Sequence, residues 1–277
     1  MRYEQMTMMS YTMAKGEWRK NPNIEVICKL TKELGLDTID WVTTYIHTPQ
    51  EIRRVCDDYG IRTVCYTFTP DINFSDKKAR QPGIDKIKEG IEIAQILGTD
   101  KIMLPIGGKP GLTAEQSRRN VIEGLKDAVR IGQENQVTVT VEHFPGYLAP
   151  FVTSADMNEA IKEVPLLRIT FDSGNVFTGG EDPVKGFLNS RSYIVHSHFK
   201  DWIVLDRKEG MQGRDGRYYR AELVGEGALN YEEILGVMHK AGYDGYVDFE
   251  YEGDRYTPEE AIRKGLAYLR NIMQNLP

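Results

Sequence analysis

The sequence predicts an α/β protein built as a single (β/α)₈ TIM barrel, and three observations predict it. Strand-like and helix-like runs alternate along the chain, making eight strand–helix units in 277 residues, about the length such a barrel needs. No Ser/Gly/Pro linker, low-complexity tract or composition shift divides residues 1–277. Four runs in the second half each end a strand-like stretch on a side chain able to bind a metal ion. A doubly wound open sheet is the competing architecture, but Tyr11 to Gly16 does not supply the Gly-rich phosphate turn usual after its first strand.

In chain order, the expected strands are Tyr3–Ser10, Thr38–Trp41, Arg62–Phe68 and Lys101–Leu104, then Val137 to Glu142, Leu167 to Asp172, Ile194 to His198 and Tyr246 to Glu250. Helix starts lie between them. Thr48-Pro49-Gln50-Glu51 and Thr257-Pro258-Glu259-Glu260 each offer an N-cap Thr, Pro at the first helical position and Glu three after the cap. Thr113 with Gln116 and Asn230 with Glu233 offer similar caps, and Asp182-Pro183 marks another start. Gly35, Gly60, Gly98 and Gly242 each follow a helical run, as C-terminal caps do. Asp206 to Asn230 is too long for an ordinary connection, and reads as a charged loop after strand seven, either a lid over the mouth or a solvated basic hairpin.

Successive strand side chains point to opposite faces. Counting back from the four terminal residues, one face carries Val137, Val139, Val141, Leu167, Ile169, Phe171, Val195, Phe199, Val247 and Phe249, with Ser197 the sole polar member. The other carries Thr138, Thr140, Arg168, Thr170, Ile194, His196, Tyr246 and Asp248 below Glu142, Asp172, His198 and Glu250. Catalytic groups of a barrel sit at the C-terminal strand ends. Three carboxylates and an imidazole converging there form a hard donor set. It suits Mn²⁺ foremost, and Mg²⁺ or Co²⁺, better than Zn²⁺, which remains possible.

Bulk properties narrow the partners. A formal charge of −6 disfavours nucleic acid, which demands clustered cations. No run of about 18 apolar residues is present to span a membrane, and Met1 to Met13 lacks a signal peptide's apolar core. Cys28, Cys56 and Cys65 follow no metal or disulfide spacing and read as buried thiols of a cytoplasmic protein. The expected partner is a small molecule, with homo-oligomerisation open.

At these same residues the chain resembles the xylose-isomerase-like TIM barrels, a superfamily that includes sugar-phosphate isomerases, ketose 3-epimerases, inosose and dehydroshikimate dehydratases and endonuclease IV. The matching pieces are Val141-Glu142-His143, Phe171-Asp172-Ser173-Gly174-Asn175, Val195 to Asp201, Gly225-Glu226-Gly227 leading into Tyr231 to Leu235, and Gly242 to Glu250. The resemblance implies that Glu142, Asp172, His198 and Glu250 are metal ligands, and that the two glutamates are the acid–base pair. Many relatives carry His three residues after the strand-six Asp; here Asn175 stands there, able to hydrogen-bond a hydroxyl but not to supply a proton. With five histidines, the chain is too poor in ligands for a trinuclear zinc nuclease.

Further candidates for substrate contact are Asn175, Lys200, His143, Trp41, Phe68, Arg207 and Lys109. Lys200 shares the parity of His198 and lies higher. His143 would point toward the rim, where substrate contact and packing compete. His196 is read as lumen filling, bonded to Asp248, and Arg168 as a lumen residue paired with Asp248 or Thr170. Trp41 and Phe68 would wall a sugar face, though ordinary core packing suits each of them somewhat better. Lys109 follows two glycines but forms no P-loop. Arg207, Arg214, Arg217 and Arg220 would meet an anionic substrate, or simply balance Glu209, Asp215 and Glu222.

The expected activity is divalent-metal-dependent isomerisation or epimerisation of a carbohydrate or polyol derivative. One of Glu142 and Glu250 removes the proton next to a carbonyl, giving an enediolate, and the other returns it. Dehydration of an inosose or dehydroshikimate is the alternative, and abasic-site DNA cleavage is disfavoured by charge and ligand count.

Overall fold

A computed structural model describes residues 5–14 and 22–276. The strands are β1 (Met6–Met8), β2 (Thr38–Val42), β3 (Arg62–Thr67), β4 (Lys101–Leu104), β5 (Thr138–Glu142), β6 (Arg168–Asp172), β7 (Ile194–Phe199), β8 (Asp201–Leu205), β9 (Met211–Gln212), β10 (Tyr218–Glu222) and β11 (Val247–Phe249). The helices are α1 (Ser10–Met13), α2 (Ile24–Glu33), α3 (Pro49–Asp58), α4 (Lys77–Leu97), α5 (Ala114–Glu134), α6 (Ser154–Glu163), α7 (Ser173–Thr178), α8 (Pro183–Ser190), α9 (Tyr231–Lys240) and α10 (Pro258–Gln274). Of the expected first strand, Tyr3 and Glu4 lie outside the described residues, and Ser10 opens α1.

Eight parallel strands run in the order β1-β11-β7-β6-β5-β4-β3-β2. The two ends meet through a Met9–Asp40 bridge and a bond from Thr38 Oγ1 to the Met6 carbonyl, so the sheet curls into a nearly closed barrel. Helices start and stop where local chemistry demands. Thr48, Thr113 and Thr257 each close a capping box, and Thr153 closes one that its Asp156 partner disguised in the sequence. Gly35, Gly60, Gly98 and Gly242 all adopt positive φ, the left-handed backbone a helix C-terminus favours.

The alternating apolar face of strands β5, β6, β7 and β11 packs outward into one cluster with the helices: Val137, Val139, Val141, Leu167, Ile169, Phe171, Phe199, Val247 and Phe249 all belong to it. Ser197 is tolerated on that face because its hydroxyl donates to the Tyr246 carbonyl at 2.7 Å. Inside, the Thr140 and Thr170 hydroxyls bond at 2.8 Å. A small apolar cluster of Met9, Cys65 and Met103, flanked by Tyr11 and Val42, fills the opposite wall. Cys28, Cys56 and Cys65 are free and buried.

Two expectations are corrected here. Arg168 is not a lumen residue: its guanidinium folds back onto the Pro165 and Leu167 carbonyls at the start of β6. The segment expected as a long loop carries two short strands, Met211–Gln212 and Tyr218–Glu222. Strand β8 leaves β7 after Lys200 alone, and pairs antiparallel with β10, which pairs in turn with β9. Phe177 and Trp202 pack edge-on against the buried Tyr219 of β10.

Candidate metal centre

Strand parity places the site. Glu142 and Asp172 end β5 and β6, His198 is the penultimate residue of β7, and Glu250 immediately follows β11, its N–H continuing the ladder to the Phe199 carbonyl at 3.1 Å. All four face the same end of the barrel because they share parity and sit at C-terminal strand ends. Asp172 is held further by its neighbours: the Asn175 N–H donates to Oδ1 at 2.8 Å, and the Asn175 amide donates to Oδ2 at 2.9 Å.

Glu142, Asp172 and His198 each bring one donor atom within 4.8 Å of the others. Glu142 Oε2 lies 3.0 Å from His198 Nδ1, and Glu250 Oε2 lies 3.8 Å from the same nitrogen. Glu250 leans toward Lys200, whose Nζ is 2.9 Å from Oε2, close enough for strong attraction although not aligned as a hydrogen bond. Lys200 also lies 3.3 Å from Asp172 and 3.5 Å from Glu252. Burial would push this ammonium down, but Asp172, Glu250 and Glu252 carry it well above the ordinary lysine value. Burial drives the Asp172 carboxyl up to about 8 against the pull of Lys200, and the charges of Glu142 and Glu250 push the same way as burial.

Such crowding of buried carboxylates is expensive without a cation. Glu142, Asp172 and His198 could hold a hard divalent ion, with Glu250 beside them.

The remaining candidates divide. Asn175 and Lys200 adjoin the ligand set. His143 does not enter it: the ring is buried behind the sheet, edge-on to Phe171 at 5.6 Å, with burial lowering it to about 4. Trp41 and Phe68 face the helices, since Asp40 and Thr67 set the inward parity of β2 and β3 and bond to each other at 3.0 Å. Gly90 of α4 receives the Phe68 ring. The same parity brings Val42 to the inner wall, where it and Tyr11 of α1 pack against Met9, Cys65 and Met103. Lys109 spends its charge on Asp71 at 2.7 Å and stacks over Phe74. Arg207 is exposed and paired with Glu209 at 2.8 Å.

Asp40 and Glu252 escaped the sequence reading, and Asp201, expected to pair with Lys200 or a loop Arg, has backbone N–H partners instead. Asp40 sits inside a short buried strand, an unusual place for a carboxylate, and meets His196 Nε2 at 3.2 Å. His196 thus fills the lumen as expected, with Asp40 nearer than Asp248, which is 3.4 Å away. Glu252 completes the surroundings of Lys200. Asp201 accepts the N–H groups of Trp202, Gly225, Gly227 and Leu229 at 2.8 to 3.2 Å, so Gly225-Glu226-Gly227 is a loop wrapped around a carboxylate.

Known proteins share this architecture. The inosose dehydratase of Lacticaseibacillus casei is 25% identical over 178 residues, 61% of this chain and 58% of that one. The chain therefore spans little more than half the length of that relative. The structure of a 3-keto-D-glucoside 4-epimerase from E. coli superposes with a TM-score of 0.75 at 18% identity, covering 96% of this chain and 99% of the other. The IOLI protein, solved with a bound zinc atom, superposes at 0.79 with 17% identity and 99% of both chains covered. The family model described as xylose isomerase-like TIM barrel matches residues 28–272, and the chain belongs to that family.

Proposed function

We propose that the protein is a divalent-metal-dependent enzyme that moves a proton at a carbon next to a carbonyl in a sugar or polyol derivative, as an isomerase or epimerase. One observation carries this reading: Glu142, Asp172 and His198 converge within 4.8 Å at the barrel mouth, with Glu250 beside them. A divalent ion held there would polarise a substrate carbonyl and acidify the adjacent C–H. Glu142 and Glu250, entering from β5 and β11, would exchange the proton as base and acid. Lys200 would donate to a substrate oxygen, and Asn175 keeps Asp172 oriented. Val42 and Tyr11 offer the apolar wall a sugar ring packs against.

Dehydration of an inosose-like substrate is the second reading, favoured by the dehydratase activity named for the Lacticaseibacillus casei relative. It uses the same proton abstraction followed by loss of a β-hydroxyl. The test is purified protein supplied with Mn²⁺ and a panel of ketoses, 3-keto-sugars and inososes in D₂O. Deuterium entering a C–H without loss of water marks the isomerase or epimerase, and release of water marks the lyase. No exchange and no turnover across the panel would sink both.

A further inference from the structure

Beneath the ligand set lies a second polar layer that the proposed chemistry does not use. Asp40 of β2, His196 of β7 and Asp248 of β11 are 0% exposed. With His198 they bring one donor atom each within 4.8 Å. His198 belongs to both layers and shows each a different nitrogen. Its Nδ1 faces Glu142 at 3.0 Å and Glu250 at 3.8 Å, while its Nε2 faces Asp40 Oδ2 at 3.5 Å and Asp248 Oδ2 at 3.8 Å.

A neutral imidazole has one N–H and one lone pair, and its neighbours decide which nitrogen carries the proton. The lower side is acceptor-rich: His198 Nε2 and both Asp248 oxygens are buried without a hydrogen bond. Asp40 is itself anchored, since Thr67 Oγ1 donates to its Oδ1 at 3.0 Å and His196 Nε2 approaches its Oδ2 at 3.2 Å. A carboxylate oxygen has room for a second donor there.

The geometry points to Asp40, backed by Asp248, as a positioning residue that accepts the Nε2–H of His198 and so turns the Nδ1 lone pair toward Glu142 and Asp172. A metal-bound histidine commonly gives its other N–H to a carboxylate, which fixes tautomer and ring orientation and strengthens the ligand. The inference rests on the metal reading of the upper layer. It assigns a task to a strand, β2, that contributes no ligand. A cation bound instead among Asp40, His196, His198 and Asp248 would demand the opposite tautomer, with the Nε2 lone pair pointing down.

The experiment uses the full chain with ¹⁵N-labelled histidine, loaded with diamagnetic Zn²⁺, and long-range ¹H–¹⁵N correlation spectra. His198→Gln identifies the signal. The expected spectrum shows His198 protonated on Nε2 and shifted at Nδ1 by Zn²⁺, at one ion per chain. Asp40→Asn, checked for native circular dichroism, should weaken Zn²⁺ about 10–100-fold in chelator competition and mix the His198 tautomers. Should this variant not fold, the wild-type spectrum still decides. A proton on Nδ1, two ions per chain, or unchanged affinity in folded Asp40→Asn overturns the positioning role. Asp172→Ala separates the two levels: if wild-type protein binds no Zn²⁺, or Asp172→Ala binds it equally well, the metal reading has failed and the role of Asp40 falls with it.

Discussion

Lys200 Nζ lies 2.9 Å from Glu250 Oε2, so a buried ammonium beside the candidate metal centre sits among the carboxylates a cation would need. In the metal-free protein it supplies the positive charge that Asp172, Glu250 and Glu252 require. Lys200→Gln should therefore destabilise the metal-free protein by about 3–5 kcal/mol, the usual cost of breaking a buried ion pair. It should also bind a divalent cation more tightly, because a competing charge is gone, while turnover falls at least about tenfold. Chemical denaturation with and without Mn²⁺, alongside metal titration, checks all three. Weaker metal binding would show that Lys200 supports the ligands instead of competing with the ion.

Substitution of the ligand set separates binding from proton exchange. Asp172→Ala and His198→Ala should lose the metal by elemental analysis while keeping native circular dichroism, because the apolar cluster lies on the other face of these strands. Glu142→Gln and Glu250→Gln keep side-chain shape but exchange no proton at neutral pH. At saturating metal each should reduce turnover by about 100-fold or more. A variant with near-wild-type turnover would leave that glutamate a ligand only.

Asp201 gives a stability prediction with a pH signature. Burial raises its carboxyl to about 6 from 3.8, even though four backbone N–H groups pull the other way. The folded state thus prefers the protonated acid. Its stabilising contribution is complete below about pH 4 and is lost as pH rises to about 6, an effect on the order of 2–3 kcal/mol. Asp201→Asn has no such titration, so wild-type stability relative to this variant should fall across that window and stay level above it. A flat difference from pH 4 to 7 would contradict the shift. Gly227→Ala drives a Cβ into the Asp201 carboxylate and should cost about 1–3 kcal/mol at any pH.

The barrel and the convergence of Glu142, Asp172 and His198 were legible because strands β5, β6, β7 and β11 alternate strictly and end on ligand-type residues. Parity could be counted back from those ends. The N-terminal strands offer no such anchor. Inward parity on β2 is set by the contact of Asp40 with His196, which no local pattern reveals, so Trp41 was left between a sugar face and the core, where it lies, and Val42 was missed. The strand bounds of the β8–β10 hairpin were hidden for a different reason. The hairpin faces solvent in part, so its strands mix Arg220 and Glu222 with Tyr219 and lack a clean apolar face. Lys109 and Arg207 found carboxylate partners in Asp71 and Glu209, and charge count alone does not distinguish such pairing from substrate binding.

The four arginines expected of a lid are not equivalent in the structure, and that sets the last prediction. Arg214 alone ties the hairpin across the mouth. Its guanidinium donates to the Tyr147 carbonyl at 3.2 Å and to the Ala149 carbonyl, both in the β5–α6 connection that follows Glu142. Its backbone N–H reaches the Thr178 carbonyl at 2.9 Å. Arg217 instead pairs locally with Asp215, as Arg207 does with Glu209, and exposed pairs of this kind contribute about 0–1 kcal/mol. Arg214→Ala should free the hairpin tip, raising amide hydrogen exchange in β9 and β10 while leaving the barrel strands protected. If the strap shields the reacting carbon from water, kcat/KM should fall more than tenfold, about 1.4 kcal/mol. Arg207→Ala and Arg220→Ala should stay within about twofold of wild type. Equal exchange in Arg214→Ala and wild type would show that the β8–β10 pairing holds the hairpin without the strap. A large loss in Arg207→Ala would move the anion-binding role back to the hairpin's outer edge.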